Sequence, residues 1–144
     1  MKNWTNNQLA FVIARITIGI NFLIHGVVRI PKLQVFAEGM TKGFEQTYLP
    51  EFLVMPFATA LPFLELILGL FLLIGFKMRL TAAVSALLIA VLVFGAAMKE
   101  DWPLVGSLTI YTIFFFLLLK NLEHNVFAVD GQSKTKIDGF KIER

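Results

Sequence analysis

The chain has 144 residues, 57% of them hydrophobic, and a formal net charge of only +3, which excludes an ordinary soluble domain of this size. Such a domain would need a far more polar surface. The absence of cysteine excludes disulfide-exchange chemistry. A glycine-rich phosphate loop, a nucleophile paired with a base and a basic nucleic-acid patch are all missing, so nucleic acid is not an expected partner.

The first apolar run covers residues 9–28 and carries Arg15, Asn21 and His25. It has only Lys2 as a basic leader and no small-residue cleavage pattern near its end, so it reads as a retained span rather than a signal peptide. At about 100° per residue, Arg15, Asn21, His25 and Arg29 share one arc of the helix, with Gly19 and Gly26 beside Arg15.

Residues 29–55 form a long connection. Within it Leu33, Phe36, Met40, Phe44 and Tyr48 recur at spacings of three and four, which predicts an amphipathic interfacial helix over about 32–48. Pro50 and Pro56 are expected to break the chain before the second span, at 56–76. That span has one ionisable residue, Glu65, with Pro62 and Gly69 on the same face. A charge at such depth costs at least about 2.5–3.5 kcal/mol and marks a functional or pairing site. Arg15 and His25 are its candidate partners, and a bound molecule is the third.

A tight turn at Lys77–Arg79 leads to the third span, 80–98, and Lys99–Trp102 leads to the fourth, 103–119. Trp102 reads as an interfacial anchor. Ser107, Thr109, Tyr111 and Thr112 read most simply as interhelical hydrogen bonders. With one histidine in the membrane and His124 outside it, a bis-histidine haem is not expected, and metal-ligand spacing is absent.

The fold these runs predict is all-α: an integral membrane four-helix bundle with an amphipathic interfacial helix in the first external loop. Residues 1–122 would form the membrane domain and 123–144 a cytoplasmic tail. With four spans, both termini share a side that holds eight basic residues, Lys2, Lys77, Arg79, Lys120, Lys134, Lys136, Lys141 and Arg144. The other side holds four, Arg29, Lys32, Lys42 and Lys99, so the positive-inside rule places both termini in the cytoplasm.

Two stretches together resemble the DoxX family of small four-span membrane proteins, related to the membrane subunits of thiosulfate:quinone oxidoreductase. ARITIGINFLIHGVVRI is similar to the family's Arg-x3-Gly followed by His-Gly-x-x-Lys. Arg15, Gly19, His25 and Gly26 fit, and Arg29 stands where the family usually has lysine. LPFLELILGLFLLIGFKMRLTAA is similar to its Pro-x2-Glu-x3-Gly pattern leading to a glycine turn and an arginine. Pro62, Glu65, Gly69, Gly75 and Arg79 fit there.

The resemblance implies a bacterial inner-membrane protein that binds quinone or a similar amphipathic molecule, as the membrane subunit of a quinone-linked oxidoreductase assembly. It would bring no redox cofactor of its own, and protein partners or further copies would complete the complex within membrane lipid. Glu65 and His25 are the candidate catalytic residues. Arg15, Asn21, Arg29, Trp102 and Tyr111 are the candidate ligand contacts. The alternative is a non-enzymatic scaffold or assembly partner, in which the buried pair fixes helix register.

Overall fold

A computed structural model describes residues 4–129. Five helices follow one another: α1 (Asn6–Arg29), α2 (Leu33–Lys42), α3 (Glu51–Ile74), α4 (Met78–Met98) and α5 (Trp102–Lys120). Short 3₁₀ turns, Ile30–Lys32 and Leu122–His124, follow α1 and α5. All but α2 are long and apolar enough to cross a membrane, and α2 continues from α1 through the 3₁₀ turn. The molecule is a four-helix membrane bundle with a short amphipathic helix at one end. That end, which also holds the α4–α5 turn, is the loop end; the other, where Trp4 stacks on Phe127, is the terminal end.

The helices associate as two pairs. α1 lies tightly along α3 and α4 along α5, while α3 and α4 touch much less although they are joined by a short turn. In lipid the hydrophobic effect does not press helices together, so close backbone approach has to supply the attraction. Gly26 and Gly69 provide it between α1 and α3. A Cβ on Gly26 would lie 2.6 Å from the Pro62 carbonyl oxygen, and one on Gly69 would strike the backbone of Leu23. Gly19 sits one turn further along, against Leu72 and Leu73.

These contacts fix an antiparallel register in which residue numbers across the pair sum to about 91. Gly26 faces the Pro62–Leu66 stretch, Leu23 faces Gly69 and Gly19 faces Leu72. The same register sets Arg15 level with Gly75.

The helix bounds differ from the sequence expectation in three places. α3 starts five residues before the predicted span, with Pro50 as its N-cap and Pro56 inside. A proline there removes one hydrogen bond, to the Phe52 carbonyl, close to the helix end, and the helix continues. α2 stops at Lys42, and residues 43–49 are turns, so Phe44 is buried while Tyr48 is 96% exposed. The face that α2 buries is Ala37 and Thr41, with Phe36 and Met40 packed at its edges.

The third difference is at the C-terminal end. Residues 122–129 turn back onto the terminal end of the bundle instead of leaving it. Val129 donates its N–H to the Ile74 carbonyl at 3.0 Å, and Ala128 lies against Gly75. The remainder of the predicted tail, 130–144, lies outside the described residues.

The α3–α4 turn depends on Gly75, which takes φ +71°, a left-handed conformation natural to glycine. The Phe76 N–H then reaches the Phe71 carbonyl at 2.9 Å and closes the end of α3.

Candidate functional site

Glu65 is buried on α3, and its partner is Arg29. Arg29 Nη1 donates to both Oε1 and Oε2 of Glu65, each at 2.6 Å. Neither partner expected from the sequence takes this place. Arg29 is level with about residue 62, one turn beyond Glu65, so its side chain has only to reach back along the helix. The guanidinium is also stacked on α2, with its carbon 4.7 Å from the centre of the Phe36 ring. Glu65 and Phe36 together hold it in place, one by charge and the other through its ring face.

Arg15 is a correction to the sequence reading. The register puts it roughly eleven residues from Glu65, about 16 Å along the axis, beyond the reach of any side chain. Arg15 is 1% exposed, and its guanidinium lies at the C-terminal end of α3, against Gly75. Nη1 donates to Asn125 Oδ1 at 2.6 Å, while Nε has no hydrogen-bond partner among the described residues. A cation beside the carbonyl end of a helix is favoured by the helix dipole, which supplies a second physical reason for this position. The side chain therefore fastens residues 122–129 to the bundle. Nothing in the spacing of the sequence signals Asn125, because the pair is 110 residues apart.

Around Arg29 and Glu65 the two helix pairs and α2 enclose a cavity of about 520 Å³. Asn21, His25, Arg29, Glu65 and Tyr111 all line it, so five of the seven site residues expected from sequence converge on one space. Arg15 and Trp102 do not. Trp102 is the first residue of α5, 63% exposed, at the level of an interfacial anchor.

Three contacts hold α2 and the turn after it over the cavity. They are the Arg29–Phe36 stack, Lys99 Nζ 5.2 Å from the Phe44 ring centre, and the Thr41 hydroxyl 3.8 Å from Met55 Sδ. Phe36, Met40 and Phe44 form the cavity's cover. Spacings of three and four put these side chains on one face, but that the face closes a cavity depends on contacts distant in the sequence.

The lining offers distinct chemistry. Both oxygens of Glu65 accept from Arg29 Nη1. Asn21, His25 and Tyr111 make no side-chain hydrogen bond with any described residue, which leaves their donors and acceptors available to a guest. Lys99 and Ser107 also reach the wall, and the rest of it is apolar, mostly Leu, Phe, Val and Ile. Among the described residues no group of three or more His, Cys, Asp or Glu side chains could hold a metal ion.

Fold and site define a small multi-pass helical membrane protein with an intramembrane ion pair at a largely apolar cavity. The family model for DoxX matches residues 10–98, and the chain belongs to the DoxX family. The match takes in α1 to α4 and so includes Arg15, His25, Arg29 and Glu65. No curated protein and no solved structure matches the chain.

Proposed function

We propose that the protein binds quinone, or an amphipathic molecule of similar chemistry, in the cavity beside Arg29 and Glu65, as the membrane subunit of a quinone-linked oxidoreductase assembly. The observation that carries this reading is the cavity's composition. Three uncommitted hydrogen-bonding side chains, Asn21, His25 and Tyr111, face a space whose wall is mostly hydrocarbon, with the Arg29–Glu65 pair, Lys99 and Ser107 as its other polar members. Few convergent polar groups in a mostly apolar cavity of 300–1,000 Å³ is the usual form of a small-molecule site.

Asn21, His25 and Tyr111 can each donate a hydrogen bond to a quinone carbonyl. Glu65 and His25 are the groups that could exchange a proton as a quinone is reduced, and the electrons would come from a partner protein. The basic residues at the terminal end support a bacterial inner-membrane orientation with both termini cytoplasmic, which puts this cavity toward the outer leaflet.

The test is extraction of the protein in mild detergent and measurement of co-purified quinone, for the wild type, His25→Ala and Glu65→Gln. Loss of quinone in the His25 variant, at unchanged folded yield, is the expected result. Unchanged quinone content in both variants would overturn the reading.

One observation favours the second reading, a scaffold without chemistry of its own. Glu65 is bonded by another residue of this chain, Arg29 on the neighbouring helix, as it would be in a register-fixing pair. On that reading both substitutions change folded yield and neither changes any bound molecule.

A further inference from the structure

Most of the uncommitted polar side chains in the cavity come from α1 and α5, while α3 and α4 line it mainly with apolar ones. Asn21 and His25 enter it from α1, and Ser107 and Tyr111 from α5. Opposite them, α3 and α4 contribute Leu53, Phe57, Val91 and Phe94. Glu65, although on α3, is turned toward α1 and bound there by Arg29.

The apolar side opens outward, as the α5 wall does at Leu104 and Ser107. At about 100° per residue, the edge of α3 that meets α1 carries Ala58, Pro62 and Gly69, and Leu53 falls nearly opposite, on the edge away from α1. Leu53, Val91 and Phe94 all line the cavity, yet they are 54%, 50% and 56% exposed. A side chain that faces both a cavity and the exterior marks an interruption in the wall. These three lie on α3 and α4, which touch far less than the members of either helix pair. Both helices are long and apolar enough to cross a membrane.

We propose that the gap between α3 and α4 is a lateral portal through which the apolar tail of a single-headed, lipid-soluble ligand extends from the cavity into the bilayer. The head lies on the α1–α5 side, at Asn21, His25 and Tyr111, and the tail leaves past Leu53, Val91 and Phe94. This inference rests on the cavity being a ligand site, and it adds a substrate class and an orientation. The ligand is one whose tail stays in lipid, and it enters from the membrane rather than from water.

The experiment compares two probes with the same benzoquinone head, one with a decyl tail and one with none, titrated into the purified protein in lipid nanodiscs. Leu53→Trp and Val91→Trp, made separately, narrow the portal without touching the polar side. Ile113→Trp, on the exposed face of α5, is the control. The expected result is that each portal variant binds the decyl probe about tenfold more weakly, equivalent to roughly two methylenes losing their contacts. The tail-free probe should bind each variant as it binds the wild type, and the control should change neither affinity.

Portal variants that bind the decyl probe like the wild type, or that lose both probes equally, would overturn the portal. A wild type that binds neither probe would overturn the cavity reading itself, and the portal with it.

Discussion

Arg29 Nη1 stands 2.6 Å from both carboxylate oxygens of Glu65, and the two residues are unequally placed to survive separation. The Glu65 side chain is 7% exposed, whereas that of Arg29 is 25% exposed and lies at the end of α1. Removing one member of a buried pair costs about 3–5 kcal/mol when the other is left uncompensated, and less when the survivor can reach water. Arg29→Ala should therefore destabilise by about 3–5 kcal/mol and Glu65→Gln by distinctly less. Unfolding in detergent, followed by circular dichroism, measures both, and equal losses would contradict the asymmetry. Exchanging the charges, Arg29→Glu with Glu65→Arg, should recover part of the loss, while exchanging Arg15 and Glu65 should recover none.

Asn125 is the side-chain hydrogen-bond partner of Arg15 among the described residues, and Arg15 is 1% exposed. Asn125→Leu removes the acceptor and leaves a guanidinium nitrogen unsatisfied, at a cost of about 1–3 kcal/mol. The loss should be local, because residues 122–129 are held mainly by this bond, by Val129 to Ile74 and by the Trp4–Phe127 ring contact. Limited proteolysis should cut the variant after Lys120 much faster than the wild type. Asn125→Asp, which keeps an acceptor and adds an opposite charge, should restore protection.

Glycines in this bundle should separate cleanly under substitution by alanine. At Gly26 and Gly69 the new methyl meets backbone, which cannot swing aside, so α1 and α3 must part. Overpacking of this kind costs about 1–3 kcal/mol. Gly106 on α5 has nothing within 4 Å of the position a Cβ would take, so Gly106→Ala should be neutral or slightly stabilising through helix propensity. Thermal unfolding of the three variants side by side provides the measurement. Tolerance at Gly26 would mean that the α1–α3 pair is looser than its geometry.

Single cysteines can report orientation without background, since the chain has none. Tyr48 is the natural position at the loop end, being 96% exposed and just past α2. Phe127, 65% exposed, serves at the terminal end. A membrane-impermeant maleimide applied to intact spheroplasts should label Tyr48→Cys and should label Phe127→Cys only after lysis. The reverse pattern would place the basic terminal end outside and contradict the charge argument.

The architecture was open to sequence reasoning because its signals are local. Apolar runs of span length, a glycine turn at Gly75 and an amphipathic stretch around Phe36 each depend on neighbouring residues alone. The composition of the site was also legible, since Asn21, His25 and Arg29 lie on one arc of one helix. The identity of the partner of Glu65 was not. It depends on how far α1 slides along α3, and that is set by the contacts of Gly26 with Pro62 and of Gly69 with Leu23. Measured from the predicted span ends, Arg15 looked close enough to Glu65; with α3 begun at Glu51 and the glycines in contact, Arg29 is one turn away. The role of Asn125 was hidden for a related reason, because a chain reversal after α5 carries no hydrophobic period to announce it.

The cover formed by α2 leads to a further expected outcome. Phe36 stacks on Arg29 from α1, and Phe44 lies under Lys99 at the end of α4, so α2 and its following turn bridge the two helix pairs above the cavity. Cation–ring contacts of this kind contribute about 0.5–2 kcal/mol each. Phe36→Leu keeps the apolar volume and removes the ring face, so its effect on overall stability should be no more than about 1 kcal/mol. Its effect on α2 should be larger. Without the ring, Arg29 is held by Glu65 alone, and α2 loses its ring contact to α1. Hydrogen exchange in nanodiscs should show faster exchange over Leu33–Lys42 in Phe36→Leu, with α1 and α3 unchanged around Gly26 and Gly69. If exchange accelerates equally through α1 and α3, then Phe36 supports the bundle as a whole and α2 is no separable cover.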